Sequence, residues 1–251
     1  MNNIIKSYKD ALDIRSELAC YQTSGWHFLY RGHSKLSYKL LSMTGRKRPL
    51  DGDLLKSELA CLNDFERLAQ EKNLLDFKVG KYNVDLFYMS IGRHLGLDCR
   101  LLDWTSSLET ALFFASSANE KEDGHLWILL YQGTIDDSYA QMDPFSIDKT
   151  VIIKENYLLP SDTTIESQPL GIIRRFCQNG FFTLTPTELI TTPLDKLETN
   201  GFHLIPIVIE STAKSDIINN LTKDDVFLRL SVSEQLESDI KTVNSKYFDQ
   251  H

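Results

Sequence analysis

Thirteen consecutive residues, Arg93 to Thr105 (Arg-His-Leu-Gly-Leu-Asp-Cys-Arg-Leu-Leu-Asp-Trp-Thr), constrain this chain more than any other stretch. They stand where a helix gives way to a strand and the strand to another helix. Val84–Leu95 has helical apolar spacing, and Gly96 is the residue type that stops a helix. Residues 99–103 read as a short strand. Ser106 or Ser107 then caps a helix over 107–118 that runs through Leu112, Phe113, Phe114 and Ala115. This corner must also satisfy two arginines, a histidine, an aspartate, a tryptophan and a threonine. Each buried polar group left unpaired costs about 1–3 kcal/mol. The segment is therefore either a dense structural network or the wall of a site.

The rest of the chain supplies partners for that corner. Residues 4–21 read as an amphipathic helix through Ile4, Ile5, Tyr8, Leu12, Ile14 and Leu18. Gly25 ends it, and Trp26 to Gly32 reads as a buried strand. Residues 53–75 form a helix with Leu54, Leu55, Leu59, Leu62, Phe65, Leu68 and Ala69 in one stripe and charges on the other side. His125 to Gln132 reads as a buried strand and Thr150 to Lys154 as a short one. Residues 171–184 read as a strand-turn-strand unit around Asn179-Gly180. His203 to Glu210 is a further strand. Helices follow at 212–221 and 231–247, the last opening on a capping-box pattern, Ser231-x-x-Glu234. With no repeats, low-complexity tracts or linker, the pattern predicts one α+β domain over 1–251. Its sheet is mixed and largely antiparallel, with flanking helices and a helical C-terminal extension at about 212–248.

Composition narrows the function classes. The 251 residues are 42% hydrophobic and 25% charged, ordinary values for a globular chain. No apolar run reaches the ~18 residues of a membrane span, and Met1 to Lys6 lacks the apolar core of a secretory signal. Cys20, Cys61, Cys99 and Cys177 lie far apart, which argues against a zinc site and against a disulfide framework. A reducing cytoplasm, no membrane partner and no metal are the expectations. The net charge of −8 argues against a broad basic face for duplex nucleic acid, while leaving room for a local basic groove.

Three constellations carry chemistry. Tyr30-Arg31-Gly32 ends a strand on a guanidinium, whose planar fork suits phosphate or carboxylate, next to a residue that lets a ligand or another backbone come close. The plain alternative is a strand-end arginine paired with Asp103. His94, near a helix C-terminus, is either a ligand-orienting or acid–base group or a capping histidine. In Arg100 to Thr105, strand alternation separates Arg100, Leu102 and Trp104 from Leu101, Asp103 and Thr105. Thr105 with Ser106 and Ser107 can seat an anion or simply cap the next helix. Arg174 to Phe182 adds two arginines and Gln178, with an amphipathic hairpin as its plain reading. Dinucleotide-binding glycine fingerprints, P-loops and the Gly-x-Ser-x-Gly elbow are absent from the sequence.

Together these blocks resemble the FRG family, named for its Phe/Tyr-Arg-Gly motif. The first block is Phe28 to Ser34 followed by Tyr38 to Leu41. The second is Arg93 to Thr105, similar to Gln-His-Tyr-Gly-x-x-Thr-Arg-Leu-Leu-Asp-Trp-Thr and continuing into Ala111 to Ala115. The third is Arg175, Gln178, Gly180 and Phe182. The match covers roughly residues 20–190. Arg93 stands where the family has Gln, Leu95 where it has an aromatic residue, and Cys99 where it has Thr. The resemblance implies a bacterial protein from phage-related, defence-like settings, and a layout similar to ADP-ribosyltransferases. In that layout Arg31, with Tyr30 and Gly32, holds NAD by a phosphate or ribose. Thr105 and the amides after it seat a second polar group, and His94, Arg100 and Trp104 line the pocket. The layout also places a glutamate before the Phe181-Phe182 strand. Here Glu166 lies upstream of that position and Gln178 sits inside the motif, so either would face the reacting carbon.

The implied function is an NAD-using, ADP-ribosyltransferase-like toxin or effector in anti-phage defence. It acts on a nucleotide-type small molecule and a protein or nucleic-acid acceptor, or as an NAD glycohydrolase. The alternative is a non-catalytic module that senses a nucleotide, nucleic acid or phage protein.

Overall fold

The computed structural model describes residues 3–74, 83–158, 180–198, 201–221 and 234–249. In chain order its elements are β1 (Ile4–Ile5), α1 (Tyr8–Gln22), β2 (Trp26–His33), α2 (Met43–Arg46), α3 (Leu54–Glu71), α4 (Val84–Leu95), β3 (Leu101–Thr105), α5 (Leu108–Ser116) and β4 (Gly124–Gln132). Then come β5 (Val151–Lys154), β6 (Gly180–Leu184), β7 (Phe202–Ile209), α6 (Lys214–Asn220) and α7 (Glu234–Ser245). They group into two compact units. The first takes Met1–Lys39, Asp103–Thr134 and Glu198–Arg229, and the second Leu40–Leu102, Ile135–Leu197 and Leu230–His251.

The first unit is built on strands in the order β1-β7-β4-β2-β3. β1 runs parallel to β7, and the other pairings are antiparallel. This agrees with the mixed, largely antiparallel sheet expected from the sequence. Strand alternation sends Phe28 and Tyr30 of β2, Leu126 and Ile128 of β4, and Ile207 and Ile209 of β7 into one core, shared with Ile14 and Leu18 of α1, Leu112 of α5 and Ile217 of α6. Gly32 allows α5 to lie directly on β2. A Cβ built there would stand 1.9 Å from the Ala111 carbonyl oxygen. Of the two roles foreseen for this glycine, the structure shows a backbone approaching, that of α5. Lys214, buried at the start of α6, donates through Nζ to the carbonyls of Ser34, Ala118 and Asn119 at 2.8, 3.2 and 2.9 Å. It thereby ties the loop after β2 to the chain beyond α5.

The second unit gathers α3, α4 and α7 with the antiparallel pair β5 and β6. Its core includes Phe65, Phe87, Leu97, Ile153, Phe182, Ile240 and Phe248. Asn244 on α7 accepts from the Asp98 amide at 3.0 Å and donates to the Gly96 carbonyl at 2.9 Å, which fixes the loop leaving α4. Gly96 sits at φ 100, the left-handed cap its place in the sequence predicts.

Several boundaries differ from the sequence reading, among them the helix expected over 53–75, which ends at Glu71, and two have a visible physical cause. Ile4 and Ile5 belong to a strand, because they pair with Val208 and Ile209, and α1 starts only after Ser7, whose hydroxyl accepts from the Asp10 amide. β3 begins two residues later than expected. The Cys99 carbonyl and the Arg100 amide are already bonded to the Thr44 amide and the Glu58 carboxylate. The expected strand-turn-strand unit at 171–184 is described only from Gly180 onward, and Ser231 lies outside the described residues.

Candidate functional site

In the first unit the residues foreseen as a site divide between the two faces of the sheet. Tyr30 and Thr105 are direct partners across β2 and β3, so they share the helix-packed face. Burial pushes the Tyr30 hydroxyl up to about 12, with Arg15 pulling it down and Glu109 pushing it up by smaller amounts. The Thr105 hydroxyl accepts from the Ser107 amide at 3.1 Å, and the Ser107 hydroxyl accepts from the Thr110 amide. Both hydroxyls thus serve the turn into α5 and its N-cap.

Arg31 points to the opposite face. Its Nε donates to His33 Nε2 at 3.0 Å, and Nη1 donates to the Asp103 carbonyl at 2.6 Å. The Asp103 carboxylate lies at 3.5 Å. Accepting at Nε2 places the proton of a neutral His33 on Nδ1. The side chains of Arg31 and Asp103 are 14% and 30% exposed, so the arginine is held firmly without being sealed off from solvent. Asp103 was foreseen as an acceptor for Arg31, and the stronger of its two contacts comes from its backbone.

The pairing of β2 with β4 sets Trp127 opposite Arg31 and His125 opposite His33. The His125 and Trp127 rings stand 5.2 Å apart, tilted by 54°. Tyr38 meets His33 edge-on at 6.1 Å. Trp104, one residue before Thr105, falls on the Arg31 face by alternation and is buried. This face therefore joins an arginine, two histidines and two tryptophans. Trp127 is 8% exposed, and its indole N–H has no acceptor among the described residues. His33, His125 and Trp127 were missed in the sequence, where β4 reads as one continuous apolar run. The signal is the period-2 placement of Arg31 and His33 on β2 against His125 and Trp127 on β4.

In the second unit Arg100 is wholly enclosed. Its Nε and Nη2 donate to Glu58 Oε2 at 2.9 and 2.6 Å, and its Nη1 donates to Pro144 O and Thr187 Oγ1 at 3.1 and 2.9 Å. The guanidinium also lies 4.6 Å over the Phe145 ring. Burial pushes the Glu58 carboxyl up, opposed by Arg100. His94 Nε2 meets Glu155 Oε1 at 2.5 Å, with the two side chains 6% and 1% exposed. Phe182 packs beside the His94 ring at 6.0 Å. A Cβ at Gly180 would stand 2.0 Å from Glu155 Oε2, so the glycine leaves room for this acid. Sequence reading passed over Glu155, although it is an acid set directly after the apolar strand β5. Gln178 and Glu166, the residues expected to face a reacting carbon, lie outside the described residues. Among the described residues no cluster of three His, Cys, Asp or Glu side chains could hold a metal. Among them, too, no helix is long and apolar enough to cross a membrane.

The first unit thus defines a class: a mixed α/β protein whose second strand presents a braced arginine on the sheet face opposite its helices. Residues 26–124 match the model of the FRG domain, and the chain carries that domain. No curated protein matches the chain, and no solved structure does.

Proposed function

We propose that this FRG-domain chain binds an NAD-type nucleotide through Arg31 and acts as an ADP-ribosyltransferase-like effector in bacterial anti-phage defence. The observation that carries this reading is the bracing of Arg31. His33 and the Asp103 carbonyl fix the guanidinium from two sides, while the side chain as a whole stays partly exposed. A fork held in advance loses little freedom when it meets a phosphate. NAD would supply the glycosidic bond to be broken, and its acceptor would be a protein, a nucleic acid or water.

A second reading, a nucleotide sensor without turnover, is favoured by one observation. Among the described residues the carboxylate beside Arg31 is that of Asp103, and it already interacts with the guanidinium. A carboxylate engaged by a cation is a weak base.

Titration of the purified protein with NAD, with release of nicotinamide followed in parallel, separates the readings. Binding with nicotinamide release, both lost in Arg31→Ala, supports the enzyme. Binding of intact NAD that Arg31→Ala weakens supports the sensor. Losing a desolvated charge contact costs about 2–5 kcal/mol, so the affinity should fall at least thirtyfold. Wild-type protein that binds neither NAD nor ADP-ribose, or an Arg31→Ala variant that binds as well as wild type, overturns both.

A further inference from the structure

A buried N–H without an acceptor is rare in folded proteins, because the lost hydration is not replaced. Trp127 carries one on the same sheet face as Arg31 and directly opposite it. The indole is locked in place. His125 leans on it two residues away along β4, and across β7 its partner is Pro206, which has no N–H and no side-chain acceptor. Leu29 and Leu129, the next pair along this face, are fully buried. Among the described residues the structure therefore places an unpaired donor on this face, next to an arginine.

We infer that Trp127 is a specificity-determining residue: its indole N–H donates to an oxyanion of phosphate type that Arg31 also binds. This rests on the reading of Arg31 as an anion-binding group, and it names the ligand's chemistry and a second contact. Arg31 and Trp127 both offer donors only, so the group between them must be rich in acceptors. A carboxylate held bidentate by an arginine keeps its spare lone pairs only in the plane of that contact. A tetrahedral phosphate keeps further oxygens for a donor arriving from another strand. The site thus selects phosphate over carboxylate, whether the phosphate is free or part of a nucleotide.

The test uses the whole chain labelled with 15N, following the indole N–H resonances of its three tryptophans. Trp127→Phe, which keeps a ring and removes the donor, identifies the resonance of Trp127. Inorganic pyrophosphate and NAD are titrated separately, with acetate as the carboxylate comparison. The inference expects the Trp127 resonance to move with pyrophosphate and not with acetate. It also expects Trp127→Phe to weaken pyrophosphate binding about tenfold, the effect of a charge-assisted hydrogen bond.

If pyrophosphate moves the resonance and NAD does not, the inference stands and the NAD reading falls. If NAD binds with the Trp127 resonance unmoved, the NAD reading stands and the inference falls. Equal responses to acetate and pyrophosphate overturn the phosphate selectivity, and no binding of any probe overturns both. Should Trp127→Phe fail to fold, the wild-type titration decides alone, with Trp26→Phe and Trp104→Phe assigning the remaining resonance by elimination.

Discussion

Arg31 and Arg100 come from neighbouring blocks of one sequence signature, yet the structure uses them in opposite ways. Arg100 is fully buried, bonded to a buried carboxylate, a carbonyl and a hydroxyl, and laid over an aromatic ring. Its charge is neutralised inside its own unit, and nothing remains to present to a ligand. Arg31 is braced by a histidine and a backbone carbonyl, with the Asp103 carboxylate at 3.5 Å, and it keeps some exposure. An arginine that meets its acid at full strength inside a core serves the fold. One that meets the Asp103 carboxylate only at 3.5 Å and stays partly exposed is not sealed into a core pair in that way.

The largest expected effect tests the interior half of that contrast. Glu58→Gln leaves the Arg100 cation buried without its counter-charge. Removing one partner of such a pair costs about 3–5 kcal/mol, which should appear as a large drop in the urea midpoint. The double variant Glu58→Leu with Arg100→Met removes both charges and should recover much of the loss. If Glu58→Gln changes stability by less than about 1 kcal/mol, the pair is not the clamp its geometry suggests.

This pair also marks how far the sequence could be read. The helix over Leu54–Glu71 was foreseen, but its buried stripe is rotated. Ser57, Glu58, Cys61, Leu62, Phe65 and Ala69 face inward, while Leu55 and Leu59 are only half-buried. Periodicity counts apolar residues, so it assigned Glu58 to the solvent side. Only a cation from elsewhere in the chain makes its burial tolerable. The same blindness to distant partners turned Ile4 and Ile5 into helix, because the strand they join lies some two hundred residues later. Elements set by local chemistry were legible. Val84–Leu95 begins after the Asn83 cap and ends at Gly96, as its spacing and cap predict. At the candidate site Arg31 was legible from its motif. Trp127, His33 and His125 were not, because the pairing of β2 with β4 brings them together and no local pattern encodes that register.

Glycines extend the comparison to the backbone. Gly32→Ala would push a methyl group against the Ala111 carbonyl and the Ala115 amide, at 1.9 and 2.6 Å, and α5 would have to lift from β2. Overpacking of this kind costs about 1–3 kcal/mol. Gly25→Ala meets no atom within 4 Å and strains only its φ of 78, at a cost of about 1 kcal/mol. Thermal unfolding should therefore rank Gly32→Ala as the more damaging change. The reverse ranking would mean that Gly32 is kept for something other than the seat of α5.

Arg31→Ala is expected to cost the fold about 1–3 kcal/mol, because the Asp103 carbonyl and the buried His33 ring lose the donor they now have. Its urea midpoint should fall less than that of Glu58→Gln while anion binding is lost. A loss on the scale of Glu58→Gln would erase the distinction between the two arginines and make Arg31 a second interior clamp.

The smallest effect at neutral pH is a change to Tyr30, next to Arg31 in sequence and on the other side of the sheet. Burial raises its hydroxyl from 10.0 to about 12 in the folded chain. Through that interval the unfolded chain gives up this proton while the folded chain keeps it. Folded protein then binds more protons, so stability falls as pH rises. The contribution is whole below the unfolded value of 10.0 and is lost as the pH passes through about 12. Tyr30→Phe should flatten this part of the stability profile relative to wild type, measured by urea unfolding across the interval. The difference between the two proteins cancels the titration of the other tyrosines. Because Tyr30 faces the helices, the same variant should leave pyrophosphate and NAD binding unchanged. A weakened ligand affinity in Tyr30→Phe would place the binding surface on the helix-packed face and remove Arg31 and Trp127 from it.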